Sequence, residues 1–180
     1  IPLLVLVFLS TTNDVNLTDG LDGLAGGCAI SVIPVFGTLA YFAGIPPDGI
    51  HLGMPFSAGA EEACVFAGAL TGSVAGFLWF NAHPARVFMG DTGSLAIGGA
   101  IAMLAGISRS EFILPIAGVI FVAEALSVIM QVGCFKLTGK RIFPCAPIHH
   151  SFEFIGVKET KVVVRFWMIS GIAAITFIIL

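Results

Sequence analysis

Between Asn13 and Leu24 the chain reads Asn-Asp-Val-Asn-Leu-Thr-Asp-Gly-Leu-Asp-Gly-Leu, three aspartates and two asparagines set between apolar runs. Carboxylates are costly near hydrocarbon, so a cluster at the end of an apolar run points to a site. Asp19 and Asp22 are three residues apart and share a face if the segment is helical. Gly20 and Gly23 keep the backbone open beside them. With Asn16 and Thr18 these aspartates supply hard oxygen ligands, which suit Mg2+ rather than zinc. The plainer alternative is that Asp19 or Thr18 caps a helix starting near Leu24. A single cap does not account for two aspartates and two asparagines.

Two later polar islands share the pattern. In the island from Asn81 to Ser94, Gly90-Asp91-Thr92-Gly93-Ser94 leads straight into an apolar run. A glycine-rich turn at a helix N-terminus offers free N–H groups and a positive dipole end, which bind anions. Asp91 places a negative charge there and invites a metal between itself and a phosphate. Its plainer role, shared with Thr92, is an N-cap. Phe88 suits stacking on a base or anchoring at the membrane interface, and His83 before Pro84 reads as structural. The island from Pro144 to Glu159 contains Pro147-Ile-His-His-Ser-Phe-Glu153. Adjacent His149 and His150 suit phosphate binding, metal binding or proton transfer. Lys158, Lys161 and Arg165, followed by Phe166-Trp167, read as snorkelling cations and an interfacial aromatic belt. Glu124, with Gln131 seven residues on, lies within an apolar run away from any island and is left outside the site. An intramembrane acid is functional by default, and a hydrogen bond to a neighbouring helix explains it equally well.

The elements that must position these residues are membrane helices. The chain is 57% hydrophobic and 11% charged, with a mean hydropathy of +1.03, whereas soluble domains carry about 25% charged residues. Strands of a closed barrel would alternate over roughly ten residues, and no such stretch occurs. The expected fold is an all-α, polytopic transmembrane helical bundle of about six spans. After Ile1 to Leu9 come Leu24 to Ile45, Cys64 to Phe80, Leu95 to Ile107, Phe112 to Phe135 and Val162 to Leu180. The first run reaches only about 15 Å, half a bilayer core, and reads as the remainder of a longer helix. Leu95 to Ile107 is also short and must borrow flanking residues; Gly93, Gly98, Gly99 and Gly106 would let neighbours approach it closely. Four cysteines are scattered without a CxxC pair, and the three in apolar runs, Cys28, Cys64 and Cys134, read as small buried side chains. A net charge of −3 without a basic tract makes nucleic acid no partner.

The islands are separated by two spans each, so all three face one compartment. The loops Pro46 to Glu62 and Ser108 to Glu111 face the other. The island side holds Arg86, Lys136, Lys140, Arg141, Lys158, Lys161 and Arg165, and the opposite side only Arg109. By the positive-inside rule the islands are cytoplasmic.

Together the islands resemble those of the phospho-N-acetylmuramoyl-pentapeptide-transferase family, within the polyprenyl-phosphate N-acetylhexosamine-1-phosphate transferases. The resemblance rests on Asn16-Leu-Thr-Asp-Gly-Leu-Asp-Gly-Leu-Ala25, on Phe80-Asn81 with Phe88-Met-Gly-Asp-Thr-Gly-Ser-Leu95, and on Pro147-Ile-His-His-Ser-Phe-Glu153 with Val164-Arg-Phe-Trp167. It implies that residues 1–180 are the C-terminal part of one integral-membrane transferase domain in the bacterial inner membrane. It implies a Mg2+-dependent transfer from UDP-N-acetylmuramoyl-pentapeptide to undecaprenyl phosphate, giving lipid I and UMP. In that reading Asp91 is the Mg2+ ligand, and Asn16, Asp19 and Asp22 line the catalytic cleft. His149 and His150 contact the donor or its diphosphate, and Gly20, Leu21, Asn81 and Phe88 bound the uridine pocket. Ser151 stands where the family has a third histidine, and Asp14 where it has a small residue. The family's adjacent aspartate pair and a nucleotide-side lysine are absent here, so the chain alone is expected to be inactive. A homodimer is left open. A sister enzyme using UDP-N-acetylglucosamine would share the aspartates and Mg2+, while a transporter would place its polar groups near the midplane. The lipid acceptor is expected in a hydrophobic groove beside the Phe112 to Phe135 span.

Overall fold

The computed structural model describes residues 2–46 and 55–179; Ile1, Leu180 and the middle of the Pro46 to Glu62 loop lie outside the described residues. Inside a bilayer every backbone N–H and C=O must find its partner within the protein, which leaves helices or closed barrels. The described residues form eight helices and no strand. In chain order they are α1 (Pro2–Thr18), α2 (Leu24–Gly44), α3 (Ala63–Asn81), α4 (Gly90–Ile107), α5 (Leu114–Ala117), α6 (Val119–Thr138), α7 (Ile148–Phe154) and α8 (Glu159–Ile179). Among the described residues α2, α3, α4 and α6 are long and apolar enough to cross a membrane. The chain is a polytopic helical membrane protein.

Three elements differ from their sequence reading. Helix α1 continues through the first polar residues to Thr18, so Asn16 sits on a helix and Asp19 just beyond it. Helix α4 borrows Gly90 to Ser94 and reaches 18 residues, about 27 Å, which is what the short apolar run required. The run Phe112 to Phe135 is not one helix. It opens with a 3-10 turn at Glu111–Ile113, forms the short α5, and restarts at Gly118, whose φ of −93° and ψ of 31° break the helical path.

Helix α2 is the hub, packed on α3 along one side and α8 along another, while α1 lies against α4 and α6. Of α2's most apolar stretch 67% is buried, against 11% for α3, so α3 turns most of its surface outward. Lipid tails are as apolar as leucine, so close contact and interhelical hydrogen bonds hold such helices together. Both occur where α8 meets α2. Gly23, at the left-handed φ of 76°, starts α2, and the Trp167 indole N–H donates to its carbonyl at 3.1 Å. Ser170 Oγ donates to Cys28 O at 3.3 Å. The expected aromatic belt at Phe166-Trp167 is therefore corrected. Phe166 is buried edge-on against Phe152, with centroids 5.9 Å apart, and Trp167 is committed to Gly23. These rings join helices.

Candidate active site

Helix α1 ends where the Thr18 hydroxyl turns back to donate to Asp14 O at 2.7 Å. From the last turn before that end, Asn16 reaches α4. Its Nδ2 donates to Asp91 Oδ1 and to Ser94 Oγ, both at 2.9 Å. Ser94 Oγ passes its own hydrogen to Gly90 O at 3.0 Å. An amide with two donors thus welds the first island to the second. Asp91 lies exposed in the first turn of α4 and makes no capping bond; the N-cap position is Met89. The capping alternatives for Asp91 and for the start of α2 fail in the same way, since Gly23 holds the latter position without a side-chain cap.

Asp19 and Asp22 do not share a helical face, because the segment Asp19 to Gly23 is turn and bend rather than helix. Asp19 points towards α4. Burial raises its carboxyl pKa, a hydrogen bond from the Gly90 backbone works against this, and the Asp91 charge raises it again, to about 6 in all. Asp22 takes the opposite side. Its Oδ2 accepts from Ala85 N at 3.0 Å and lies 3.2 Å from His83 Nδ1, while its backbone N–H donates to Glu159 Oε1 at 2.9 Å. His83 Nδ1 is also 3.5 Å from Glu159 Oε2. One residue from each island meets in this cluster. The structural reading of His83 therefore has its partners.

Between the two aspartates opens a cavity of about 230 Å³. Asp19, Gly20, Leu21, Asp22, Asn81 and Phe88 all line it, although the sequence places them in two separate islands. Asn81 is buried. Its Nδ2 donates to Val87 O at 2.8 Å, and its Oδ1 has no partner among the described residues. Phe88 beside it is 74% exposed, a ring face left free.

The third island folds back along α6 rather than ending at its tip. Gln131 Oε1 accepts from Ile142 N at 3.0 Å and Phe143 N at 2.9 Å, and its Nε2 donates to Phe143 O at 3.0 Å. The returning segment brings α7 beside the middle of α6. His149 becomes completely buried there, with Nδ1 3.0 Å from Glu124 Oε2. The reading that kept Glu124 away from every island is thus corrected: it measured distance along α6, and the loop cancels that distance. His150 stays half-buried, with Nδ1 2.7 Å from Glu153 Oε2 and its ring 4.2 Å from that of His149. Ser151, which stands after the two histidines, is turned to its own loop. Its hydroxyl donates to Cys145 O and accepts from Cys145 N at 3.3 Å, latching the start of the island.

Gly20 is where the first and third islands touch. A Cβ there would collide with His149 Nε2 and come within 2.9 Å of Cε1. The ring cannot move away freely because it is fully enclosed. We therefore expect Gly20→Ala to displace His149 and cost about 1–3 kcal/mol by overpacking. Thermal melting of the purified protein reads the cost, and an unchanged melting temperature would refute the contact.

Residues missed as site members were Glu124, Gln131, Glu159 and, as a link between islands, His83. The signal for the first two was there, two polar residues seven apart in an apolar run. Nothing in the spacing named their partner.

A family model described as Glycosyl transferase family 4 matches residues 1–109, more than half of the chain and both aspartate islands. The chain belongs to glycosyl transferase family 4. Beyond the matched segment, relatives carry the likeness almost to the end. A protein from Leptospira biflexa serovar Patoc is 51% identical over 97% of this chain and 47% of its own length. One from Methylacidiphilum infernorum is 54% identical over 94% and 46%, and one from Fusobacterium nucleatum 52% over 96% and 49%. Each is named phospho-N-acetylmuramoyl-pentapeptide-transferase. The chain spans about half the length of these relatives. In this family 4 chain Asn16, Asp19 and Asp91 come together beside the cavity, with His149 behind Gly20.

Proposed function

We propose that the chain carries the catalytic face of a phospho-N-acetylmuramoyl-pentapeptide transferase. It would move the phosphosugar from UDP-N-acetylmuramoyl-pentapeptide to undecaprenyl phosphate and release UMP and lipid I. One observation carries the reading: Asn16, Asp19 and Asp91 converge beside a nucleoside-sized cavity in a chain whose relatives bear that name. The Lys and Arg bias supports a cytoplasmic position for this face, and the relatives' name supports the bacterial inner membrane as the home of the bundle.

The donor set fits Mg2+. Asp91 offers an exposed carboxylate steadied by a single amide, and Asp19 stands close enough to feel its charge. These are oxygen ligands of the kind Mg2+ takes. Asp91 would hold the ion, and a bound ion would supply positive charge to offset that of the diphosphate. Asn16 fixes the direction of the Asp91 carboxylate. Asp19, whose carboxyl burial and the Asp91 charge hold above the ordinary carboxylate range, would be the group to exchange a proton with the acceptor phosphate. Asn81 Oδ1, a buried acceptor without a partner among the described residues, and the exposed ring of Phe88 suit the N–H and ring of uracil. His150, steadied by Glu153, would offer its other nitrogen to the donor. An apolar hollow of about 270 Å³ between α1 and the α5–α6 segment is where we place the polyprenyl tail; Asp14 lies on its lining. That gives the additional charge a position without yet giving it a role.

The test supplies the full-length protein with undecaprenyl phosphate and Mg2+, and offers UDP-N-acetylmuramoyl-pentapeptide and UDP-N-acetylglucosamine separately. We expect UMP only from the first. UMP only from the second moves the protein to the sister enzyme, which shares the aspartates. Release from neither removes the transferase reading.

A further inference from the structure

Glu124 has no part in the chemistry above, yet it is the most expensive residue in the bundle to place. Its carboxylate is completely buried inside a membrane-crossing helix, where an unpaired charge costs several kcal/mol. An apolar side chain would fill the same space at lower cost, so packing does not explain a glutamate. Its surroundings do. Oε2 lies 3.0 Å from His149 Nδ1 and accepts from the His149 backbone N–H at 3.5 Å. The ring nitrogen approaches off the line of an ideal hydrogen bond, and Nδ1 has no hydrogen-bond partner among the described residues. Charge attraction does not need that alignment.

The other ring nitrogen completes the case. The large majority of buried side-chain polar atoms have a hydrogen-bond partner. Here Nε2 is buried, has no partner among the described residues, and lies against Gly20. Gly20 has no side chain and lines the cavity between Asp19 and Asp22. A carboxylate only accepts, so its place beside Nδ1 favours a proton on that nitrogen and bears on what the opposite nitrogen presents.

We propose that Glu124 is the positioning residue of His149, its buried carboxylate holding Nδ1 inward so that Nε2 faces Gly20 at the cavity wall. The effect on turnover rests on the transferase reading, whereas the orientation of the ring does not. Gln131 assists from the next turns of the same helix by pinning the loop that delivers α7.

The experiment uses the full-length protein with 15N-labelled histidine, in its parent form and as Glu124→Gln, Glu124→Asp and Glu124→Leu. His149 is assigned by its loss in His149→Asn. In the parent we expect the ring signature of a proton held on Nδ1, and in Glu124→Gln a shift towards the other tautomer. Glu124→Gln should lower kcat for UMP release by about 10- to 100-fold with KM nearly unchanged, the usual size for an orienting partner. Glu124→Asp, which keeps the charge, should recover part of the loss. The glutamine is isosteric, so it reports even if the leucine variant does not fold. A His149 spectrum identical in parent and Glu124→Gln overturns the proposal, as does a Glu124→Leu enzyme with parental kcat. If the parent releases no UMP from any nucleotide sugar, the transferase reading fails alone. The nitrogen spectra still decide for or against Glu124.

Discussion

Replacing Asp91 by asparagine in the full-length protein should lower UMP release by about a thousandfold or more. A bound cation contributes several kcal/mol to developing negative charge, and each 1.36 kcal/mol is a factor of ten. Asparagine is chosen because its side-chain oxygen still accepts from Asn16 Nδ2, the bond that measures 2.9 Å in the structure. The junction of α1 with α4 therefore survives while the charge disappears. The exposure of Asp91 makes the change harmless to folding, since nothing is buried or uncovered by it. Residual turnover should no longer respond to added Mg2+ over the range that saturates the parent. Turnover within tenfold of the parent at saturating Mg2+ would show that Asp91 is not the metal ligand. The same assay on Asn16→Ala separates holding the ion from aiming its ligand. That variant keeps the carboxylate but frees its direction, so a raised Mg2+ requirement is expected rather than outright loss.

The bundle and the meeting of the islands were legible because both rest on patterns that survive folding. Apolar run lengths set the spans, and the parity of those spans put Asn16 and Asp91 at one end, where they bond. What could not be read was any relation that depends on where a helix stops. Asp19 and Asp22 look like one helical pair at a spacing of three, but α1 ends at Thr18 and sends them to opposite sides of the cavity. Glu124 looks remote from every island because fourteen residues follow it in α6. The segment after Gly139 runs back over that length and delivers His149 to it. Trp167 looked interfacial because tryptophan usually is; its N–H instead has a buried carbonyl at Gly23, a partner 144 residues away.

Gly98 is the position where the fold itself sets the site, and its substitution should show this most plainly. It lies seven residues beyond Asp91 on α4, about 10 Å further into the bundle on the same side. A Cβ at Gly98 would stand 2.6 Å from Thr11 O and 2.7 Å from Thr12 Cα of α1. Those are backbone atoms, so no side-chain rotation relieves the contact. Carbon atoms rest at about 3.5–4.0 Å, so the two helices must part by about 1 Å. The bond from Asn16 to Asp91 lies on the same seam and cannot stretch that far and remain a bond. Alanine is the better helix former by about 1 kcal/mol, so propensity alone predicts a more stable Gly98→Ala protein. Packing predicts the reverse, a loss of about 1–3 kcal/mol, and a larger loss for Gly98→Val. Melting in detergent decides the sign, and the Mg2+ requirement of UMP release decides whether the separation reaches Asp91. A Gly98→Ala protein that melts no lower than the parent, with an unaltered Mg2+ requirement, would mean the seam between α1 and α4 does not hold the site together. The expected pairing is a lower melting temperature with weakened Mg2+ dependence, because one helix contact serves both.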